Sequence, residues 1–309
     1  MANLSYYLLL DHIKIHNANA ISSPLTYGFP SITGFLGAIH ALSRKIKSEK
    51  EIYLNGVMIA CHQCDVQTYQ PHEFADHTFK LSRNPIGKDG NPRSIIEEGK
   101  VHLDVSLVVE VICHRKALSS EDIKLEFETQ VKHAIQQHRI AGGSVLSVGD
   151  VRLYDVFNDI DTLIHRLMPA FVLVNAKQDL LDITTELQQA NSAATALDAL
   201  IETAKIHHKP KKEHEWQHTS VKQGRGWIVP IHLGYQAISP LFPAGKVTHT
   251  RDNEHPTQFV ECIYGLGKWV FPYHLHDDFE QAFWRYQPAT TQDNGAELYL
   301  INQDNNDDE

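Results

Sequence analysis

The 309-residue sequence has no apolar run approaching a membrane span. The longest one near the N-terminus, Tyr6 to Leu10, falls far short of the ~20 residues a spanning helix needs. No basic segment or small-residue cleavage site accompanies it, so no secretory signal is expected either. Cysteine is scarce. Cys61, Cys64, Cys113 and Cys262 have no framework spacing, which excludes a disulfide scaffold and points to a reducing, cytoplasmic setting. There is no G-x-S-x-G elbow and no G-x-G-x-x-G after a strand; Gly265 and Gly267 run into Lys-Trp-Val. No repeat of solenoid or propeller period occurs.

What is present is ordinary globular material, 42% hydrophobic and 21% charged. At roughly 150 residues per domain the length suggests one large or two small domains. The net charge of −10 seems to exclude a nucleic-acid partner, but its distribution does not. Asp293, Glu297, Asp304, Asp307, Asp308 and Glu309 give the last 17 residues −6, leaving −4 for the first 292. Residues 12–48 hold Lys14, Arg44, Lys45 and Lys47 and no acid. Residues 205–225 hold Lys205, Lys209, Lys211, Lys212, Lys222 and Arg225 against Glu213 and Glu215. Either stretch could be a solvated face; together they leave RNA open.

The pattern from Tyr6 to Asn17 predicts a strand, apolar throughout and then alternating. Ile13 and Ile15 point inward, and His12, Lys14 and His16 share an uncovered face. Asn17 to Gly34 is rich in Asn, Ser, Pro and Gly and predicts a loop. It feeds a helix marked by Ile32, Phe35, Leu36, Ile39, Leu42 and Ile46, whose N-terminus favours phosphate. Further strands are predicted at 56–64 and 101–111. The polar stretch 65–100 between them is too long for a plain connection and reads as a projecting hairpin. A helix over 120–138 ends at Gly142-Gly143, and a strand follows over 145–154. Strand, helix, strand, strand, helix, strand is the ferredoxin-like order.

Beyond that the pattern is less regular. A strand is expected over 167–174, one or two helices over 177–206, and a His-rich linker over 207–226. Strands are expected at 227–231 and 235–238, a helix at 256–266, and a mobile acidic tail from Asp293. The fold class is α+β. It comprises a ferredoxin-like (RRM-related) domain over 1–157 with a thumb at about 65–100, and a less regular C-terminal α/β region over 158–292.

The chemical motifs are few. Cys61-His62-Gln63-Cys64 offers two of the four ligands zinc needs, and on a regular strand positions 61 and 64 face opposite ways. His72 and His77 are five apart where a helical zinc pair needs four. No metal site and no cofactor are expected. Twenty histidines would allow acid–base chemistry, but none has a predictable nucleophile or orienting carboxylate, so no catalytic residue is assigned. Arg139-Ile-Ala-Gly-Gly-Ser144 closes an acid-free stretch, 129–149, and its glycines permit close approach of RNA phosphates, or simply cap the helix.

Several stretches carry a family resemblance: Asn17 to Pro30, Leu81-Ser-Arg-Asn-Pro85, Arg139 to Ser144, Gly226 to Ile231, Gly234 to Leu241 and Phe259 to Trp269. In this order they are similar to the Cas-five-type subunits of type I-F CRISPR surveillance (Csy/Cascade) complexes, the second of the Csy proteins. The resemblance covers 17–269 and leaves 175–225 and the tail unmatched. It implies a non-catalytic RNA-binding scaffold that caps the 5′ handle of the CRISPR RNA, pairs with the large (Cas-eight-type) subunit and abuts a backbone (Cas-seven-type) subunit. The RNA-binding candidates are Asn17, Asn19, Ser22, Ser23, Tyr27, Phe29, Arg83, Asn84, Arg139, Gly142, Gly143 and Ser144. Tyr264, Trp269 and Phe271 are the candidates for a partner surface. Rival readings are an endoribonuclease acting on precursor CRISPR RNA and a purely structural adapter.

Overall fold

The computed structural model describes residues 3–46, 52–212, 215–250, 252–290 and 297–303. The chain forms two units, each from two segments: Met1–Leu173 with Val270–Phe283, and Val174–Trp269 with Trp284–Glu309.

The first unit opens with β1 (Asn3–Asn19), α1 (Ile32–Ile46) and β2 (Tyr53–Val66). Four short strands follow, β3 (Thr68–Tyr69), β4 (Thr78–Phe79), β5 (Leu81–Arg83) and β6 (Ile95–Glu97). Then come β7 (Lys100–Cys113), α2 (Glu121–Gln136), β8 (Arg139–Ile140), β9 (Gly143–Ser147), β10 (Val151–Asp155), α3 (Ile160–Leu167) and β11 (Phe171–Asn175). The long strands are antiparallel in the order β11-β2-β7-β1-β9-β8, with β10 also paired to β1.

The hydrophobic pattern of β1 explains how this sheet is covered. Tyr6 to Leu10 is apolar at every position because every side chain there is buried. Helices α1 and α2 pack on the sheet. The returning segment covers Tyr7, whose ring stacks on Phe283 at 5.1 Å and meets Phe279 edge-on at 5.3 Å. From His12 onward the pattern alternates: Ile13 and Ile15 are buried, while His12, Lys14 and His16 lie on an open face. α2 begins where Ser120 accepts the Ile123 N–H at 3.3 Å as its N-cap.

In the second unit, α4 (Lys177–Ala190) and α5 (Ala196–Thr203) precede β12 (His207–Lys212) and β13 (Glu215–Thr219), which form a separate hairpin. β14 (Trp227–Ala237), β15 (Val260–Val270), β16 (Arg285–Thr290) and β17 (Glu297–Asn302) form an antiparallel sheet in the order β16-β17-β14-β15. Its core joins Ile183, Ala199, Leu200, Ile228 and Leu266. A capping box between Thr195 and Asp198 starts α5.

Several expectations are corrected. Residues 256–266 are not a helix; from Val260 they are β15, paired with β14 across one bulge. Gly265 would cost such a helix roughly 1 kcal/mol, and cross-strand pairing decides the outcome. The His-rich stretch 207–226 is a hairpin rather than a linker through its first half. The two strands expected at 227–238 are one, kinked by a bulge between His232 and Gly234. The strand over 145–154 is two, β9 and β10, broken where Gly149 donates its N–H to the Asp11 carbonyl at 2.8 Å. The expected strand over 167–174 begins only at Phe171, because α3 runs to Leu167 and Pro169 separates the two. Glu297–Asn302 is a sheet strand, not part of a trailing tail; positions 293–296 and 304–309 lie outside the described residues.

Candidate nucleic-acid interface

The loop after β1 and the glycine turn after α2 meet. Asn19 donates its N–H to the Ala141 carbonyl at 2.9 Å, and an added Cβ at Gly142 would come within 3.9 Å of the Asn19 Cβ. Gly143 has no room for a Cβ, which would lie 2.7 Å from the Ala18 nitrogen and 2.8 Å from the His16 oxygen. Gly34, in the first turn of α1, touches the same turn: its Cβ would be 3.0 Å from the Ala141 Cα. That turn of α1 carries no acidic residue, so the positive end of its dipole is uncompensated. Asn17, Asn19, Arg139, Gly142, Gly143 and Ser144 thus come to one place, with Ser144 opposite His16 on β1.

Not every candidate is available as a donor. Ser22 and Ser23 spend their hydroxyls inside the loop, on Thr26 at 2.7 and 2.6 Å, and Ser23 is buried. Asn19 closes its side chain onto Ile21 in both directions, at 2.9 and 3.1 Å. These bonds shape the loop; they are not idle recognition groups. Phe29 stacks on Phe35 of α1 at 5.4 Å and anchors the loop to the core. Tyr27 is different. It is 73% exposed and rests edge-on against Phe79 of β4 at 5.6 Å. The loop therefore also touches the base of the 65–100 segment, where Ala20 donates to the Gly99 carbonyl at 3.0 Å.

Arg139 directs one guanidinium nitrogen to the Gly142 carbonyl at 2.6 Å, which stiffens the turn, and the side chain is otherwise exposed. Arg83 closes β5 opposite Ile95, exposed, with no carboxylate partner among the described residues. Asn84 follows it in the exposed connection. Around this hairpin, Leu81, Ile86, Ile95 and Phe74 are exposed apolar side chains, Phe74 at 91%.

The open sheet face carries a feature the sequence disclosed only in part. His16 stacks on His102 at 4.3 Å and His12 on His62 at 4.0 Å. His102 is held below the usual imidazole range by burial and then by His16 and Lys80, and its Nδ1 accepts the Asn17 N–H at 3.2 Å. His12 and His16 were legible from the alternation of β1. His62 and His102 needed the register of three strands.

Cys61 and Cys64 do not face opposite ways as expected of a regular strand. A bulge between Cys61 and Gln63 sets the two cysteines opposite Val105 and Leu103, so they share a face. Burial, then Cys64, pushes the Cys61 thiol up to about 12, and burial pushes Cys64 up to about 11.

Of the aromatic candidates for a partner surface, Tyr264 and Trp269 are strand residues and Phe271 follows the end of β15. Tyr264 stands opposite His232 and packs on the second unit's core. Trp269 pairs with Trp227 at 6.2 Å between ring centres, and Phe271, in the first unit, meets Phe171 edge-on at 6.3 Å.

This geometry belongs to a chain whose residues 8–301 match the family described as CRISPR-associated protein (Cas_Csy2). The chain belongs to the Csy2 family. It is 38% identical over 292 residues to the CRISPR-associated protein Csy2 of Pseudomonas aeruginosa (strain UCBPP-PA14), covering 87% of this chain and 88% of the relative. Among the described residues of this Csy2-family chain no helix is long and apolar enough to cross a membrane.

Proposed function

We propose that this Csy2-family chain is a non-catalytic RNA-binding subunit of a type I-F CRISPR surveillance complex in antiviral defence. In the cytoplasm it holds the 5′ handle of the CRISPR RNA, pairs with the large subunit and abuts a backbone subunit. The order β1-α1-β2-β7-α2-β10, in a sheet ordered β2-β7-β1-β9, supports reading the first unit as a ferredoxin-like, RRM-related domain. The segment 65–100 is then its thumb, and the exposed Phe74, Leu81, Ile86 and Ile95 favour a protein contact there. Tyr264, Trp269 and Phe271 remain the candidates toward the large subunit.

One observation carries the RNA reading: the Asn17–Phe29 loop and the Arg139–Ser144 turn converge at the start of α1. Backbone N–H groups, a helix N-terminus and a guanidinium fork there suit a single-strand backbone. The exposed Tyr27 ring beside them can stack on a base.

The test is binding of the CRISPR RNA handle to the purified chain and its complex at several salt concentrations. Arg139→Ala and Arg83→Ala should each weaken guide retention in a folded protein and flatten the salt slope by roughly 0.7 per lost contact. Lys211→Ala, on the separate β12–β13 hairpin, should do much less. Equal losses at all three would mean diffuse electrostatics, and no loss at either arginine would overturn the handle assignment. Tyr27→Ala should cost about 1–3 kcal/mol of RNA affinity if one base stacks on it, read by the same titration. Incubation with precursor CRISPR RNA addresses the endoribonuclease alternative, and crosslinking in the assembled complex addresses the adapter alternative.

A further inference from the structure

The two neighbours of β7 are both irregular at the same level of the sheet. In β1 the register breaks between Leu10 and Ile13, where His12 adopts a left-handed φ of 45°. In β2 it breaks between Cys61 and Gln63, leaving His62 as the extra residue. A bulge re-aims a side chain at the cost of ladder hydrogen bonds. These two bring the His12 and His62 rings face to face over Asp104 and Ser106 of β7, with ring centres 4.0 Å apart and planes 27° apart, so sharing an ion requires a ring to turn. One ligand atom from each of Asp11, His12 and His62 lies within 4.8 Å of the other two.

The surrounding hydrogen bonds fix which ring nitrogens hold lone pairs. Ser106 donates its single hydroxyl proton to Asp11 Oδ1 at 2.9 Å. Toward His62 Nε2, 2.8 Å away, its oxygen can therefore only accept, so His62 carries its proton on Nε2 and a lone pair on Nδ1. Asp104 sits 3.0 Å from His12 Nδ1 and takes that proton, leaving the lone pair on Nε2. A carboxylate or hydroxyl behind each imidazole is the arrangement that orients metal-ligating histidines. Charge agrees. Asp104 pairs with His12, and Arg166 bridges Asp11 at 3.2 Å and Asp150 at 2.9 Å. Three carboxylates against Arg166 and Lys14, which stands opposite Asp104, leave the cluster net negative and favourable to a cation.

We propose that Asp11, His12 and His62 bind a zinc-class divalent metal ion on the open sheet face of the first unit. Two imidazoles and one carboxylate are a donor set suited to zinc, with a further position open to water or a ligand. The ion would tie β1 to β2 across β7, next to the stacked His16 and His102.

The experiment uses the full chain, stripped with chelator and titrated with Co(II) as a visible probe for zinc, then with Zn(II) by calorimetry. One equivalent should bind, with the d–d absorption of a nitrogen- and oxygen-ligated Co(II) ion and a rise in melting temperature. His12→Gln and His62→Gln should each weaken binding by more than about 100-fold, and Asp104→Asn by about 10–100-fold. The β12–β13 hairpin holds a second histidine pair, His208 and His218, with Nδ1 atoms 2.5 Å apart, so His218→Gln serves as the control and should leave binding intact. Circular dichroism checks each variant's fold, and X-ray absorption on the Co(II)-loaded wild type should count two imidazoles whatever the variants do. No stoichiometric binding by the wild type overturns the proposal. So does binding that survives His12→Gln and His62→Gln, whatever His218→Gln does.

Discussion

Replacing Gly143 by alanine should both destabilise the first unit and abolish guide retention. The new methyl would lie 2.6 Å from Ile15 Cγ2, 2.7 Å from the Ala18 nitrogen and 2.8 Å from the His16 oxygen. Two of those three atoms belong to the main chain of the central strand β1 and cannot rotate away. Overpacking costs typically about 1–3 kcal/mol, and the main-chain contacts put this site at the upper end. Gly142→Ala is the informative neighbour. Its φ of +80° strains alanine, but the nearest atom is 3.9 Å away, so the cost is conformational, about 1–2 kcal/mol. Thermal melts of both variants, with RNA binding measured well below either midpoint, separate the effects. The Gly143 variant should lose handle binding even where it is folded, because the β8–β9 turn is pushed off Asn19. If it binds RNA like the wild type while folded, the turn is not part of the interface.

Phe283→Ala should be among the most damaging truncations in the chain. Phe283 is fully buried, stacks on Tyr7 at 5.1 Å and meets Phe279 edge-on at 5.7 Å. Removing a buried phenylalanine costs about 3–5 kcal/mol. Against a domain stability of about 5–15 kcal/mol, that corresponds to a fall in melting temperature of roughly 10 °C. Leucine in its place should recover part of the loss, since it refills most of the volume without the ring contacts. A melting temperature unchanged by the alanine variant would mean that the returning segment does not seal Tyr7's face.

The sequence disclosed most where side chains obey one period. β1, α1, β7 and α2 were legible because their apolar positions repeat cleanly. It misled where the local pattern and the pairing disagreed. Val260 to Leu266 carries spacing compatible with a helix, yet its partner strand is some 30 residues away in sequence and no local signal encodes it. Bulges did similar harm. One extra residue at His62 reversed the facing of Cys64, which an alternation count cannot anticipate. At the candidate interface, Asn17, Asn19 and the Arg139–Ser144 turn were recognisable as types, but only the fold brings them together. The same fold withdraws Ser22 and Ser23 into the loop.

The first unit is not contiguous in the chain: Val270–Phe283 rejoins Met1–Leu173 after the second unit has intervened. A ribosome delivers these pieces in order. At ordinary synthesis speeds, on the order of ten seconds separate the emergence of Leu173 from that of Phe283. Throughout that interval the ring of Tyr7 lacks the two phenylalanines that cover it in the finished protein. The nascent chain thus offers a greasy patch to chaperones until Phe279 and Phe283 have been made.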